Sequence, residues 1–594
     1  MLGAWGGMSP LHGYQWPKPT PDNYPVLKRQ WDLVVERDAH HPSAAIYCMS
    51  NEYGATTPFP RLAWECYHAT KARKPEALVL WTDGGWNPDL PGDFVNDEAE
   101  KNADCPLPVV QHEFRWWSSF PDVRLKSHYS GAVRPYAIEL AEQAAARHGL
   151  THLLARFAAA SQRLQLAEAK LKMESCRRTH ATLAGICHFN AMDASPSPQG
   201  VLTEFYTAKQ ADSACWLQTN GDAVLLAGLE ADDRVLSAGQ TFRCPLFLSD
   251  FAHPPLRGTR VDWRLRDDSG RQLAAGELHF APAPFRTCPV GEVVAVLPPV
   301  TGPLPLTLHA RLQEEGAASA AASGRAEAGS ARAVSNQWRL WLFPPTALPP
   351  GLMRYGQGGS SWLARWEEIP LANAPDPAAA LVLTEVLDEP VEACLRAGGR
   401  VLLVASEGLV RPHPPNFGYV RYYFTPPANY APYEDGQNGT LVADHPLLGD
   451  FPHEGFADLH WFRMIDPAPP LDLEPLGLTE GEPVVRVIHR YPVCRPLGYL
   501  YELAVGRGRL VLCALELDPG WPEARHLLAQ LAAGAARPAT QAPPPEASAT
   551  TWARLRAAAA VGQTPMRPLA PAAGSPGQSD DAGAGDGGVR AGSR

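Results

Sequence analysis

The chain has 594 residues, of which 45% are hydrophobic, so it is long enough for several domains with substantial cores. Its formal net charge of −11 argues against a nucleic-acid partner, and no block of basic residues occurs. No apolar stretch approaches the roughly 20 residues that a membrane-spanning helix needs, and the first residues lack the basic and apolar regions of a signal peptide. The eleven cysteines are scattered without a CxxC pair, which predicts reduced thiols rather than disulfides or a zinc site.

Residues 1–215 alternate short apolar runs with helical patterns, which is typical of a parallel α/β architecture. The predicted strands are 44–50, 77–81, 108–112 and 184–191. The predicted helices are 25–38, 59–73, 134–147 and 150–180. In the last of these helices, the spacing of Glu174 to Arg177 and Arg178 predicts ion pairs on the helix surface.

Residues 216–348 instead alternate apolar and polar side chains between Gly, Pro and Asp turns, as in TFRCPLFLSDF and TRVDWRLRDD. This pattern predicts an antiparallel, immunoglobulin-like β-sandwich. Residues 314–333 are of low complexity, and we interpret them as an insertion in a hairpin loop because WRLWLF after them is typical of a further strand.

Residues 349–535 return to α/β features, and AALVLTEVLDEPVEACLRAGGRVLLVASEG has the strand-helix-strand rhythm of a doubly wound sheet. A later strand and a closing helix follow in GRGRLVLCALEL and EARHLLAQLAAGA. Residues 536–594 are rich in Ala, Pro, Gly and Ser, which predicts a disordered tail.

Two predicted strands of the first region run directly into a carboxylate. The strand in SAAIYCMSNEYG reaches Glu52, and the strand in PVVQHEF reaches Glu113. A lone charge beside a core costs several kcal/mol unless it is paired or solvated, so a catalytic role at the rim of a barrel is one good reason for it. Two carboxylates about 5–5.5 Å apart are what retaining glycoside hydrolysis requires.

The segment HHPSAAIYCMSNEYGA, residues 40–55, resembles the HPS-strand-NE motif of glycoside hydrolase family 2. The resemblance implies that Glu52 is the general acid/base and that Asn51 binds the sugar 2-hydroxyl. Arg37 matches the family's arginine ahead of the HP pair and would support the carboxylate shell. PVVQHEFRWWSSFPD resembles the family's second motif, which makes Glu113 the nucleophile.

The resemblance extends along most of the chain. Residues 184–202 are similar to the last barrel strand of β-galactosidase-like members, SNQWRLWLFPP to the end of their sandwich, and residues 380–530 to a glutamine-amidotransferase-like domain. It implies a partial TIM (β/α)8 barrel, then the sandwich, then a flavodoxin/amidotransferase-like domain. It also implies a hydrolase that acts on β-linked carbohydrate without a cofactor, in which His112, Trp116 and Phe189 line the substrate site.

Each of these residues also has a structural interpretation. Glu52 could sit at a helix N-terminus, where the helix dipole favours a carboxylate, and Glu113 could be a salt-bridge partner. Arg37 could be a surface charge, and the aromatic residues could serve packing. The histidines show no spacing typical of a metal site, so none is predicted.

Two departures from the family pattern bear on whether the chain is an active enzyme. The acid/base motif is expected after the fourth barrel strand but arrives at residue 52, which predicts an N-terminally truncated barrel or one completed by another chain. The alternative is therefore an inactive remnant that binds carbohydrate or protein. In the amidotransferase-like domain, LLVASEG offers no cysteine where the family's nucleophile is expected, so that domain is predicted to be non-catalytic. The sequence assigns neither compartment nor oligomeric state.

Overall fold

The computed structural model describes residues 2–6, 22–51, 60–114, 118–189, 191–193, 198–209, 213–313, 334–356, 361–411, 437–537 and 543–561. These residues form an α/β unit, a β-sandwich and a second α/β unit, in that order along the chain. Among the described helices, none combines the length and the apolar character that crossing a bilayer requires.

The first unit is built on a six-stranded parallel sheet in which the strands follow each other in chain order. Its strands are β1 (Leu2–Gly6), β2 (Ile46–Asn51), β3 (Leu78–Asp83), β4 (Val95–Asp97), β5 (Val109–Phe114) and β6 (Leu183–His188). Its helices are α1 (Tyr24–Asp38), α2 (Pro60–Arg73), α3 (Tyr136–Arg147), α4 (Leu154–Thr179) and α5 (Ser213–Asn220). The predicted strands and helices are confirmed to within a few residues, and the short β4 and α5 were not predicted.

The two faces of this sheet are covered unequally. On one face, Trp31 of α1 is fully buried against β2 and β3, and its indole nitrogen donates a 2.9 Å hydrogen bond to Thr70 of α2. The opposite face holds a much smaller buried cluster of Cys48, Leu80 and Phe94. The helix-covered face therefore fixes the strands, and the other face is the more open one.

The second unit is a sandwich of two sheets whose facing side chains form one core. Its strands are β7 (Ala223–Ala227), β8 (Val235–Ser237), β9 (Thr241–Asp250), β10 (Arg260–Asp267), β11 (Gln272–His279), β12 (Arg286–Val296), β13 (Leu304–Gln313) and β14 (Ser335–Phe343). One sheet has the order β11-β10-β13-β14-β8 and the other β12-β9-β7. The predicted insertion 314–333 lies outside the described residues, and the strands on either side of it pair antiparallel.

The third unit is a nine-stranded mixed sheet with the order β16-β15-β17-β18-β23-β22-β21-β19, in which β20 pairs with β22. The strands are β15 (Leu352–Tyr355), β16 (Leu371–Ala372), β17 (Leu381–Thr384), β18 (Arg400–Val404), β19 (Gln437–Val442), β20 (Leu471–Asp472), β21 (Val485–His489), β22 (Leu497–Val505) and β23 (Gly508–Cys513). The helices are α6 (Glu389–Arg396), α7 (Phe462–Ile465), α8 (Pro522–Ala536) and α9 (Ala549–Ala560). The five parallel strands follow the chain order 2-1-3-4-5, a common order of doubly wound sheets.

Residues 543–561 correct the prediction of a disordered tail from 536 to 594. They include α9, which Ser548 caps by accepting a 3.0 Å hydrogen bond from the Thr551 amide. Trp552, Leu555 and Ala559 lie at helical spacing and are buried against the third unit. The alanine-rich composition hides this helix, because only two large apolar side chains anchor it.

Glu174 on α4 also differs from the sequence-based expectation. It is buried, and it bonds Lys170 and accepts a 2.7 Å hydrogen bond from the Trp338 indole of β14. Asn336 of β14 donates to Glu174 and accepts from Lys170. The predicted surface pairing with Arg177 and Arg178 is therefore wrong, because the sandwich packs against this side of α4.

His460 lies between the sandwich and the third unit. Its ring stacks on Trp341 at 4.3 Å between centroids, and its Nε2 lies 2.7 Å from the carbonyl oxygen of Pro452. Burial lowers the pKa of His460 to about 3, although the contact with Pro452 opposes this shift.

We expect acid to destabilise the fold below pH about 6.5, the ordinary histidine pKa, because the unfolded chain then binds a proton that buried His460 does not. The free energy of unfolding should fall by about 1 kcal/mol per pH unit from this residue alone. His460→Phe keeps a stacking ring without a titrating group, so its unfolding free energy should depend less steeply on pH. Urea unfolding of both proteins between neutral pH and pH about 5 measures the difference, and equal slopes would contradict the assignment.

Candidate active site

Polar side chains gather where the strands of the six-stranded sheet end. Asn51 at the end of β2 is in register with Asp83 at the end of β3, and Asp83 is in register with Asn96 of β4. His112 and Glu113 lie at the end of β5. Because all these strands are parallel, their carboxyl ends share one edge of the sheet, which we call the carboxyl edge. In open α/β sheets and in barrels this is the edge where ligands bind.

A chain of polar contacts joins β3, β4 and β5 at the carboxyl edge. His112 Nδ1 lies 2.7 Å from Asp83 Oδ1, and the Asn96 amide donates to the same oxygen. His112 Nε2 lies 3.8 Å from Glu113 Oε1. The side chains of Glu113 and Asp83 are about 20% exposed, so the Glu113 carboxylate is recessed but open to a ligand.

The backbone of β5 is irregular at Glu113. Gln111 pairs with Ile186 and Phe114 with His188, so three steps on β5 face two steps on β6, which is a β-bulge. Glu113 adopts a φ of 36°, in the left-handed region that favours glycine. Consecutive strand residues normally point to opposite faces, and the bulge instead brings the side chains of His112 and Glu113 close together.

The end of β6 adds a neutral histidine to the carboxyl edge. The ring of His188 lies 5.3 Å from the ring of Trp216, and burial lowers the pKa of His188 to about 4, with the charge of Lys209 contributing. Phe189, a predicted substrate residue, follows directly after β6. His188 is therefore uncharged near neutral pH.

A buried ion pair links the loops that follow β5 and β6. Lys209 Nζ lies 2.8 Å from Asp193 Oδ1 and donates a 3.0 Å hydrogen bond to Ser119 Oγ. Burial raises the pKa of Asp193 to about 6, and Lys209 opposes this shift. Pro198 accepts a hydrogen bond from the Ser119 amide, which further ties the two loops together.

The structure brings only some of the predicted site residues together. His112, Glu113 and Phe189 lie at the carboxyl edge, whereas Glu52 and Trp116 lie outside the described residues. Asn51 is described as the backbone end of β2 only. Arg37 lies in the last turn of α1, which leads into the start of β2, so it lies at the opposite edge of the sheet. Its guanidinium there bonds Asp38 and is 68% exposed.

Asp83 and Asn96 belong to the candidate site, and the sequence analysis did not single them out. A signal existed for Asp83, because the apolar run ALVLW leads into it just as other runs lead into Glu52 and Glu113. No signal marks Asn96, since β4 has three residues and no periodicity. Among the described residues, no group of three or more His, Cys, Asp or Glu side chains could hold a metal ion.

Comparison with protein families finds two matches, each to part of the chain. A domain of unknown function, DUF8487, matches residues 382–550, and another, DUF8488, matches residues 240–344. The first match lies in the third unit and the second covers most of the sandwich. No curated protein matches the chain.

The solved structures that the chain resembles include several glycosidases, all at low sequence identity. An exo-chitosanase from Amycolatopsis orientalis is 13% identical with a TM-score of 0.31, over 55% of this chain and 40% of that one. A β-D-mannosidase from Dictyoglomus thermophilum is 11% identical with a TM-score of 0.32, over 57% and 43%. A β-glucuronidase from Bacteroides uniformis is 11% identical with a TM-score of 0.24, over 57% and 41%. The chain thus spans about two fifths of the length of these proteins.

We expect Glu113→Gly to be more stable than Glu113→Ala by about 1 kcal/mol, because only glycine adopts a positive φ without strain. In an ordinary strand the order is reversed, since glycine there is less stable than alanine. Both variants remove the carboxylate, so their difference isolates the backbone. Urea unfolding measures it, and an alanine variant that is as stable as the glycine variant would rule out the left-handed backbone.

Proposed function

We propose that this chain is a retaining glycoside hydrolase of the family 2 type, β-galactosidase-like, that acts on β-linked glycosides at the carboxyl edge. Glu113 is the nucleophile, and Glu52, which directly follows β2, is the general acid/base. One observation carries the proposal. The recessed carboxylate of Glu113 lies beside a histidine that contacts Asp83, on the sheet edge where β2 ends at Asn51, the residue before Glu52 in the sequence.

The strand count supports the identification of the sheet as part of a barrel. If β2 is the fourth of eight strands, as the position of the NE motif in the family implies, then β6 is the eighth. Residues 184–202 independently resemble the loop and strand that end the family's barrel, and β6 is Leu183–His188. Two separate motifs therefore give the same numbering, and β1 becomes the third strand.

The distance between β2 and β5 indicates how strongly the sheet must curve for the proposed chemistry. Adjacent strands are about 4.8 Å apart, so β2 and β5, three steps apart, would be separated by about 14 Å in a flat sheet. A retaining pair of carboxylates needs about 5–5.5 Å. Glu52 and Glu113 reach that distance if the sheet curves as in a barrel and both side chains point to its open face.

The proposed mechanism has two steps. Glu52 protonates the glycosidic oxygen while Glu113 attacks the anomeric carbon, so the aglycone leaves and a glycosyl ester forms on Glu113. Glu52 then takes a proton from water, which attacks the anomeric carbon and releases the sugar and the Glu113 carboxylate. Asn51 binds the 2-hydroxyl, and Trp116 and Phe189 contact the sugar ring.

His112 is a positioning residue in this mechanism. Its Nδ1 contacts Asp83, which Asn96 holds in turn, and this fixes the plane of the imidazole. Because Asp83 accepts the Nδ1 hydrogen, Nε2 carries a hydrogen toward Glu113 Oε1 only in the imidazolium form, whose positive charge favours the ionised carboxylate that a nucleophile requires. Arg37 lies too far from this edge to contact the substrate. It would affect the site only indirectly, by holding the start of β2 in place.

We assign the third unit an accessory, non-catalytic role. Ala405, Ser406 and Glu407 follow β18 where an amidotransferase would carry its cysteine. Cys394 in α6 and Cys513 in β23 are both buried, and burial raises the pKa of Cys513 to about 12, which disfavours the reactive thiolate.

A non-catalytic, carbohydrate- or protein-binding protein is the second candidate. The observation that favours it is the open described sheet, with β1 and β6 at its edges and a small buried cluster on one face. Labelling of the nucleophile separates the two candidates directly.

We expect a 2-fluoro β-glycoside with a good leaving group to add the mass of one sugar to the intact chain, on the peptide that holds Glu113. Glu113→Gln should form no adduct and lose turnover by many orders of magnitude, because no covalent intermediate can form. Intact-mass spectrometry with a panel of 2-fluoro glycosides measures adduct formation in both proteins, and the mass added identifies the class of sugar accepted.

Glu98→Gln is the matched control for this experiment. Glu98 follows β4 and pairs with Lys101, so the substitution removes a nearby carboxylate that has no role in the mechanism. Its adduct should form as in the unmodified chain. Turnover above about 10% in Glu113→Gln would refute the nucleophile assignment, and no adduct with any sugar would favour the binding protein.

A further inference from the structure

A polar cavity lies on the β-sandwich. It has a volume of about 380 Å³ and is lined by β10, β13 and β14, with Gln218 of α5 as a further wall. Trp263 and Leu265 on β10 belong to the sandwich core, so the alternating residues Arg264 and Arg266 lie on the outward face. The cavity is therefore formed by the outward face of the five-stranded sheet.

Three arginines and a histidine converge in this cavity. Arg264 of β10 is directly opposite His309 of β13, which is opposite Gln337 of β14. Arg266 and Arg311 line the same space. Arg264 and Arg311 are diagonal neighbours across β10 and β13, so their like charges repel each other in the empty protein.

The described part of the chain offers these arginines no ion-pair partner. Arg264, Arg266 and Arg311 form no ion pair with a carboxylate in the described part of the chain. The one carboxylate of the lining, Asp262, is directly opposite Arg311 in register, but it accepts a 2.7 Å hydrogen bond from Gln313 and pairs with Arg260.

One of the cavity arginines has a hydrogen-bond donor that the described chain leaves unsatisfied. Arg266 Nε is buried without a hydrogen-bond partner among the described residues, which is unfavourable unless a ligand supplies one. By contrast Arg339, on the neighbouring β14, donates two hydrogen bonds to Asp268. The pKa of His309 is lowered, first by burial and then by the charge of Arg266, which fits a positive field in this space.

We infer that this cavity binds an acidic saccharide, whose carboxylate or sulfate group is held by the guanidinium groups of Arg264, Arg266 and Arg311. Guanidinium groups bind such oxyanions through paired hydrogen bonds. Gln313 and Gln337 add amides that can both donate to and accept from sugar hydroxyls. The volume falls within the range of about 300–1,000 Å³ that is usual for ligand sites.

The charge of the whole chain makes this cavity distinctive. With 63 acidic and 52 basic residues the chain is acidic overall, so a cationic cavity is a local feature rather than a general property of the surface. The inference does not depend on the chemistry proposed at Glu113, and a negative labelling result there leaves it untouched.

Isothermal titration calorimetry of the full chain with three probes tests the inference. Sodium glucuronate supplies the carboxylate, glucose 6-sulfate the sulfate, and glucose is the neutral control. We expect at least one acidic sugar to bind, glucose not to bind, and affinity to fall as salt is added. Binding of one or of both acidic sugars supports the inference and identifies the group recognised.

Variants test whether the acidic sugar binds in this cavity. Arg264→Gln/Arg311→Gln should weaken the acidic sugar at least about tenfold, because two charged hydrogen-bond donors are lost. The double variant removes repelling charges from an outward face, so its melting temperature should not fall. Arg339→Gln is the matched control on the same sheet, and its affinity should be unchanged. The inference fails if no acidic sugar binds, if glucose binds and is weakened equally by the double variant, or if the control loses as much affinity as the double variant.

Discussion

The helix α4 is the element on which the arrangement of the three units depends. Its 26 residues span about 39 Å. Near its end, the buried Glu174 and the half-buried Lys170 bond to each other and to Trp338 and Asn336 of the sandwich. Burial lowers the pKa of Lys170 while Glu174 opposes that shift. A buried charge left without its partner is strongly unfavourable, so these contacts favour the observed seating of the sandwich.

The same helix supports both the third unit and the carboxyl edge. At its start, Phe157 packs in one cluster with Leu441 and Ile488 of the third unit. Along its middle, Ala169 and Met173 pack against the strands that lead to His112 and Glu113. Ser161 accepts a 2.7 Å hydrogen bond from the Phe120 amide, which anchors the loop that follows β5. Position and orientation of the candidate site are thus set by a helix that carries none of its reactive groups.

Local patterns predicted most elements, and long-range contacts account for what they missed. The strands that end on Asn51 and near Glu113 are short apolar runs, whose burial on a parallel sheet makes them visible in the sequence. Asp83 and Asn96 become site residues only through the register of β3, β4 and β5, which no local pattern contains. Glu174 looked like a surface residue because its partner Trp338 lies 164 positions away. Helix α9 was hidden by its alanines, since composition does not reveal that Trp552 finds a surface to pack on.

The left-handed backbone at Glu113 has a consequence for how this position evolves. Stability alone favours glycine there, and only a use for the carboxylate favours glutamate, so the two selective pressures oppose each other. In a lineage where the site had fallen idle, mutations to glycine would be retained because nothing would select against the more stable residue. Among relatives that share the bulge, the residue at this single position therefore separates chains still under selection for chemistry from those that keep only the fold.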